Sequence, residues 1–407
     1  MATTDFELLP AVEQAPPHAG TIVMKFGGTS VGDHEKLKAV ARRLVDAKRG
    51  GTRVVAVLSA MGHTTDDLIR QAHEISPAPK PRALDMLISV GERISCALAE
   101  MAIEDLGAQA LSLTGSQAGI VTDTVHGKAK IVDVRARRIH QALDEDRIVL
   151  VAGFQGISTD FDITTLGRGG SDTTAVALAA AIGADVCEIF TDVAGVFTAD
   201  PRVVPGARKL EVVSFEEMLE MASSGAEVMA TRSIEVARNH NVKLHVRSTF
   251  DDGDGTWIRE EDDPMLEKAL ISAVVHQRHE TVYRVEGAPP ASLFGALADA
   301  NVNVDTIVST DADIVFSAPV EDADAAVAAL DRLASPWSAR HDLGKVSLVG
   351  AGMKSHPGVA ARVFATLEEQ GIQPAVVSTS PIKIACHIQS DQVERAVRAL
   401  HEAFELG

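Results

Sequence analysis

From Thr21 onward the apolar positions follow two patterns. Short runs with almost no polar residue, TIVMKF, RVVAVLS, RIVLVAGF and DVCEIFTD, predict strands buried on both faces. Between them, His34 to Lys48 and Thr64 to Glu74 place apolar residues at helical spacing, and 82–105 forms a longer helical stretch. A further strand is predicted near AQALSL. SDTTAVALAAAIG reads as a helix of small residues able to pack tightly, and VKLHV closes the series near residue 246. Strands separated by helices predict an α/β fold, with a parallel or mostly parallel sheet and helices on both faces.

The segment DDGDGTWIREEDDP (251–264) interrupts this pattern with Gly, Pro and acidic residues, as a domain boundary does. Beyond it the chain partly repeats itself. LFGALADANVNVDTIVST (293–310) is similar to VFATLEEQGIQPAVVSTS (363–380), and each can be completed as a βαββαβ unit. Two unrelated α+β fragments with the same alternation would also fit. The expected plan is a loose tail at 1–20, with Pro10, Pro16 and Pro17, then a catalytic domain at 21–250 and a linker at 251–268. Two small α+β units follow, at 269–338 and 339–407.

Composition narrows the function. A chain of 407 residues exceeds one ordinary core, and aromatics at 4% leave the packing to Ala, Val, Leu and Ile. The net charge of −19 argues against nucleic acid as a partner. Cys96, Cys187 and Cys386 lie far apart, with neither metal nor disulfide spacing, which suits a reducing cytoplasm. The apolar stretch from Leu84 to Leu106 carries Asp85, Glu92, Arg93 and Glu100, so no membrane span is expected. The start, MATTDFELLP, lacks the basic segment of a secretory signal.

Three segments hold candidate chemistry. In Lys25-Phe26-Gly27-Gly28-Thr29-Ser30 a buried strand runs into glycines and hydroxyls before a helix. Such a loop lets backbone amides approach a phosphate, and the lysine adds a cation, although Gly-Gly after a strand is often only a turn. The order is not that of the Walker A loop, because the lysine precedes the glycines. In Thr164 to Thr174, Arg168 can grip a carboxylate with two hydrogen bonds, while Asp172 at a helix start can cap that helix or orient Lys25. In Thr191 to Arg202, a Thr-Asp strand end and an Asp-Pro-Arg turn can hold a nucleotide or form an ordinary polar loop. Two glycine loops of opposite charge at strand ends suit phosphoryl transfer, which depends on positioning.

VMKFGGTSVGD, LSAMGHTTDDL, SVGERIS, GFQG, TTLGRGGSDTTAVALAAAIGADVCEIFTDVAGVFTADPR and KVSLVGAGMKSHPGVAAR together resemble the aspartate kinases, over nearly the whole chain beyond the tail. The resemblance implies an amino-acid-kinase-type sheet sandwiched by helices and followed by tandem ACT domains. It implies ATP-dependent phosphorylation of the aspartate side chain to 4-phospho-aspartate, a step toward lysine, threonine and methionine. Lys25, Gly27, Gly28 and Ser30 would then line the ATP phosphates, with Lys25 stabilising the transferring group and Asp172 orienting Lys25. Ser59, Thr65, Glu92, Arg168 and Ser171 would hold aspartate, Glu92 taking the ammonium and Arg168 a carboxylate. Thr191, Asp192, Phe197, Asp200 and Arg202 would surround the nucleotide, with magnesium bound through ATP and no protein metal site. Lysine or threonine would bind at an ACT interface, and ACT pairing implies a homo-oligomer.

The chain departs from that pattern in three places. Ser224-Gly225-Ala226-Glu227 stands where the family usually has a lysine-bearing turn, which predicts weaker ATP binding. Phe197 replaces a common tyrosine. The first ACT-like unit lacks Pro-Gly before its helix and Gln-Asn after VDTIV, and the second carries Pro374 in GIQPAVVSTSPIKI. These changes predict weakened feedback control. The competing readings are another amino-acid kinase, and a catalytically silent regulatory subunit that Glu227 would suit.

Overall fold

The computed structural model describes residues 20–260, 271–351, 353, 356 and 358–407. Most of the expected tail (1–19) and the end of the expected linker lie outside these residues, as do Ser355 and Pro357 of the SHPG motif. The chain divides into two compact units: residues up to Phe190 with Asn239–Leu244, and Thr191–Arg238 with His245–Gly407.

The first unit runs β1 (Thr21–Phe26), α1 (His34–Arg49), β2 (Arg53–Leu58), α2 (Thr64–Ile75), α3 (Pro81–Ile88), α4 (Val90–Asp105), β3 (Ala110–Leu113), β4 (Ile120–Thr122), β5 (Ile131–Val134), α5 (Arg137–Asp144), β6 (Ile148–Ala152), β7 (Gln155–Ser158), β8 (Ile163–Thr165), α6 (Gly170–Ile182) and β9 (Val186–Thr191). Strands β9, β1, β2, β6 and β3 lie side by side, every neighbouring pair parallel. Alternate residues point to opposite faces. Met24, Phe26, Val54, Ala56, Leu58, Ile148 and Leu150 share one core with Leu37, Val40 and Leu44 of α1 and Cys96, Ala99 and Ile103 of α4. The alternate set, Val23, Val55, Val57, Val149 and Val151, is buried just as fully. Helix α6 is buried nearly all round, as its apolar composition requires. A small sheet, β5-β4-β7-β8, stands apart from the main one.

The expected long helix over 82–105 is instead α3 and α4, meeting at Ser89. At this junction the Ser89 carbonyl accepts a 2.6 Å hydrogen bond from the Gln155 side chain.

The second unit carries β10 (Val212–Val213), α7 (Phe215–Ser223), α8 (Thr231–Asn239), β11 (Leu244–Ser248) and β12 (Thr256–Ile258). Strand β12, inside the stretch expected as linker, pairs in parallel with β10. There follow β13 (Ala273–Glu286), α9 (Pro290–Asp299), β14 (Ile307–Ser309), β15 (Asp313–Ala318), α10 (Ala323–Leu330), β16 (Trp337–Val349), α11 (Gly358–Glu369), β17 (Val376–Ser380), β18 (Lys383–Gln389) and α12 (Val393–Ala403). The two repeats do not make separate sheets; they share one of six strands, β14-β15-β13-β16-β18-β17. Strands β13 and β16 run antiparallel from Ala273↔Val349 to Val285↔Trp337. The end of β13 also pairs with β15, and the end of β16 with β18. Among the described residues no helix is long and apolar enough to cross a membrane. The three cysteines are buried and unpaired.

Candidate active site

In a parallel sheet, loops at the carboxyl ends of the strands form the ligand crevice. Here the loops after β1, β2 and β6 and the start of α6 enclose a cavity of about 260 Å³, together with the first turn of α4. Close backbone approach requires the glycines. A Cβ on Gly28 would lie 3.1 Å from the Ala60 carbonyl oxygen, and one on Gly91 would lie 2.7 Å from the Ala60 Cβ. Gly91 therefore lets α4 press against the β2 loop and brings Glu92 to the cavity wall.

Lys25 and Asp172 face each other there, with Nζ 2.5 Å from Oδ1 and side-chain exposures of 12% and 9%. The contact is an ion pair and not an aligned hydrogen bond. Asp172 stands in the first turn of α6, whose N-cap Gly169 has φ of 72°. The free amides of that turn and the helix dipole make the cavity receptive to anions.

Glu92 is buried, and its Oε1 accepts from the Ala60 amide at 3.3 Å. Its Oε2 has no hydrogen-bond partner. Burial pushes its carboxyl up to about 7, against the opposing pull of backbone amides at Glu92 and Ala60 and of the Arg93 charge. A buried acid with an unsatisfied oxygen facing a cavity is suited to an incoming cation such as an ammonium group. Arg168 is exposed on the same wall, in the loop between β8 and α6.

The structure thus brings Lys25, Gly27, Gly28, Ser59, Thr65, Glu92, Arg168, Ser171 and Asp172 to one cavity. Ser30 does not line it; the residue is buried, with its hydroxyl 3.5 Å from the Phe190 carbonyl oxygen. Thr191, Asp192, Phe197, Asp200 and Arg202 belong to the second unit. There the Asp200 carboxylate accepts from Arg202 Nε at 3.0 Å and Nη2 at 2.8 Å. The loop is anchored at Thr198, whose buried hydroxyl donates to the Leu406 carbonyl at 3.0 Å. The same hydroxyl lies 3.0 Å from His401 Nε2 and accepts from the Arg208 amide at 2.9 Å.

Ala60, Gly62 and Phe154 also line the cavity and were not among the candidates read from the sequence. Phe154, within GFQG, has φ of 67°, and its carbonyl accepts from the Leu166 amide. An aromatic residue next to Gly153 at the end of a buried strand was the available signal.

The fold and this cavity define the class, and a model of the amino acid kinase family matches residues 20–248. An ACT domain model matches 346–404. Aspartokinase from Mycolicibacterium smegmatis is 52% identical over 406 residues, covering 95% of this chain and 96% of that protein. Aspartokinase III from E. coli in complex with aspartate and ADP superposes with a TM-score of 0.83 at 25% identity, covering 94% of this chain and 99% of that one. The same enzyme in complex with lysine and aspartate gives 0.73, with the same identity and coverage. The chain belongs to the aspartokinases, ATP-using kinases of the amino acid kinase family. With such relatives aligned along its length, the regulatory-subunit reading is not favoured.

Proposed function

We propose that the chain transfers the γ-phosphoryl group of ATP to the side-chain carboxylate of L-aspartate, giving 4-phospho-L-aspartate. The observation that carries this reading is the Lys25–Asp172 ion pair in one cavity with Glu92 and Arg168. A cation for the transferring phosphoryl thus stands beside an anion for an ammonium and a cation for a carboxylate, which are the charges of ATP and an acidic amino acid.

In this reading Glu92 holds the α-ammonium and Arg168 a carboxylate, while Ser59, Thr65 and Ser171 offer hydroxyls. Gly27 and Gly28 let the backbone approach the phosphates, and buried Ser30 supports that loop from below. Lys25 balances charge on the group in transfer, held in place by Asp172. The aspartate carboxylate is already ionised at neutral pH, so the attack needs no general base. Thr191, Asp192, Phe197, Asp200 and Arg202 receive the nucleotide. Magnesium comes with the triphosphate.

The domain plan follows: a kinase over 21–250, then a regulatory pair that takes lysine or threonine as effector. Strands β14 and β17 at the sheet edges favour pairing with a second copy of the chain. The test is ADP release from magnesium-ATP with L-aspartate, L-glutamate or no acceptor, with hydroxylamine trapping the acyl phosphate. Aspartate-dependent ADP and hydroxamate are expected. No turnover with aspartate at any ATP concentration would overturn the reading.

A further inference from the structure

Seven residues before Glu92, in a helix where Ile88 is the one other buried residue, stands a carboxylate with 1% exposure, Asp85. It does not touch the cavity, yet it is fully engaged. Its Oδ1 accepts from the Thr165 hydroxyl at 2.5 Å. Its Oδ2 lies 2.7 Å from His126 Nδ1, and the Gly127 amide donates to both oxygens at 3.1 and 3.2 Å. An acid this deeply buried is costly unless such partners satisfy it, so its position is well defined.

Its partners are the two supports of the Arg168 loop. Thr165 is the last residue of β8, two positions before Gly167. The Gly127 carbonyl is the surface against which Gly167 rests, because a Cβ on Gly167 would meet that oxygen at 3.0 Å. Both glycines have positive φ, 79° at Gly127 and 78° at Gly167, so each occupies a conformation other residues avoid. Asp85 therefore grips the Arg168 loop at its root and at its resting surface. The helix bearing Asp85 leads directly to Glu92: Ser89 donates its amide to the Asp85 carbonyl at 3.1 Å, and α4 begins at the next residue.

We propose that Asp85 is a positioning residue that fixes the separation between Glu92 and Arg168, and so sets the length of acidic amino acid the site accepts. The inference rests on the reading in which these two residues hold the acceptor's ammonium and carboxylate. Aspartate and glutamate differ by one methylene, so the reach of the side-chain carboxylate to the phosphoryl group separates them only when the two charges that anchor the amino acid are rigidly placed. A carboxylate gripping one charged loop from the helix that carries the other charge supplies that rigidity.

The experiment compares wild type, Thr165→Ser, Thr165→Val and Asp85→Asn in the full chain, with KM for aspartate, KM for ATP, kcat and the aspartate-to-glutamate kcat/KM ratio measured for each. Thr165→Val keeps the volume and loses the hydroxyl; it is expected to raise KM for aspartate about tenfold and reduce the ratio by a similar factor. KM for ATP should stay within about twofold of wild type. Thr165→Ser, which keeps the hydroxyl, should restore both values, and Asp85→Asn should exceed Thr165→Val. If KM for aspartate and the ratio are unchanged in Thr165→Val, Asp85 only stabilises the fold and the proposal fails. A parallel rise in both KM values would overturn it equally. Wild-type enzyme that turns over another acceptor but not aspartate would overturn the underlying reading along with it, whereas normal wild-type turnover with unresponsive variants overturns this inference alone.

Discussion

Lys25 Nζ sits 2.5 Å from Asp172 Oδ1, a residue of β1 joined to one of α6 across the sheet's carboxyl edge. The pair is largely removed from solvent, so its attraction is weakly screened. Asp172 also lies in the first turn of α6, where negative charge is favourable in itself. Asp172→Asn should lower kcat about 100-fold while KM for ATP changes little, because the lysine is needed most when charge develops. Steady-state kinetics at saturating aspartate measure this; an equal loss in a remote surface variant would make the effect non-specific.

Glu92 places catalysis in conflict with stability. Burial raises its folded pKa from the ordinary 4.5 to about 7, so the native state holds a proton there that the unfolded chain has released. Its contribution to stability is complete below 4.5 and is lost as the pH rises through about 7. That displacement corresponds to about 3 kcal/mol. Glu92→Gln should therefore raise the melting temperature of the ligand-free enzyme at pH 8 and abolish aspartate turnover. In the wild type, kcat/KM for aspartate should fall below pH about 7, as the carboxylate that receives the ammonium becomes protonated.

Glu227 is exposed, and its charge adds to the field at Arg202, whose own strongest partner is Asp200. In the proposed placement of the nucleotide, a carboxylate at this turn opposes the triphosphate. Glu227→Lys should lower KM for ATP about threefold to tenfold with kcat nearly unchanged, because a charge at ~4 Å is worth about 1 kcal/mol even in water. Nucleotide titrations at two salt concentrations would show the effect shrinking at the higher one.

In the regulatory sheet, Lys345 is fully buried, 3.2 Å from Glu280 and paired also with Asp305. Glu280 in turn meets His387 Nε2 at 2.7 Å. Lys345→Met should cost about 3–5 kcal/mol in urea unfolding, since it leaves two carboxylates without their cation. Adding Glu280→Gln should recover part of that loss. Burial pushes the Glu280 carboxyl up, but the His387 hydrogen bond and the charges of Lys345 and His387 outweigh it and hold it below the ordinary 4.5. The stability it contributes is present above 4.5 and disappears as the pH falls through the lowered value.

Feedback control should be weak. In the first regulatory repeat the link between β14 and β15 is a tight turn closed by the Thr310 hydroxyl on Asp313, without the longer polar loop the family resemblance implies. Lysine and threonine titrated together into the kinase assay should give little inhibition; strong concerted inhibition at millimolar concentrations would refute this.

The elements around the site were legible because their causes are local. A lysine at the end of an apolar run, glycines after it, and Arg168 with Asp172 opening a small-residue helix are all visible as short-range pattern. The break at Ser89 was not: the carbonyl at that junction is met by the side chain of Gln155, 66 residues away. Asp85 was legible as an acid in an apolar stretch, but its partners lie 41 and 80 residues away. Likewise, the alternation in β13 and β16 reports a strand and a buried face, but not which strand lies beside it. The repeats therefore read as two sandwiches where one sheet forms.

That shared sheet has a consequence for inheritance and engineering. The core under α11 and α12 includes Ile271 and Val274, from the start of the first unit, and Ala199, Val203 and Val204, which precede both units in the chain. The second repeat does not carry a complete set of its own walls, so a graft of 339–407 alone would arrive without part of its interior. Exchange between relatives has to move the second repeat together with the start of the first and with the turn at Ala199–Val204, so the two repeats are bound to evolve as a couple.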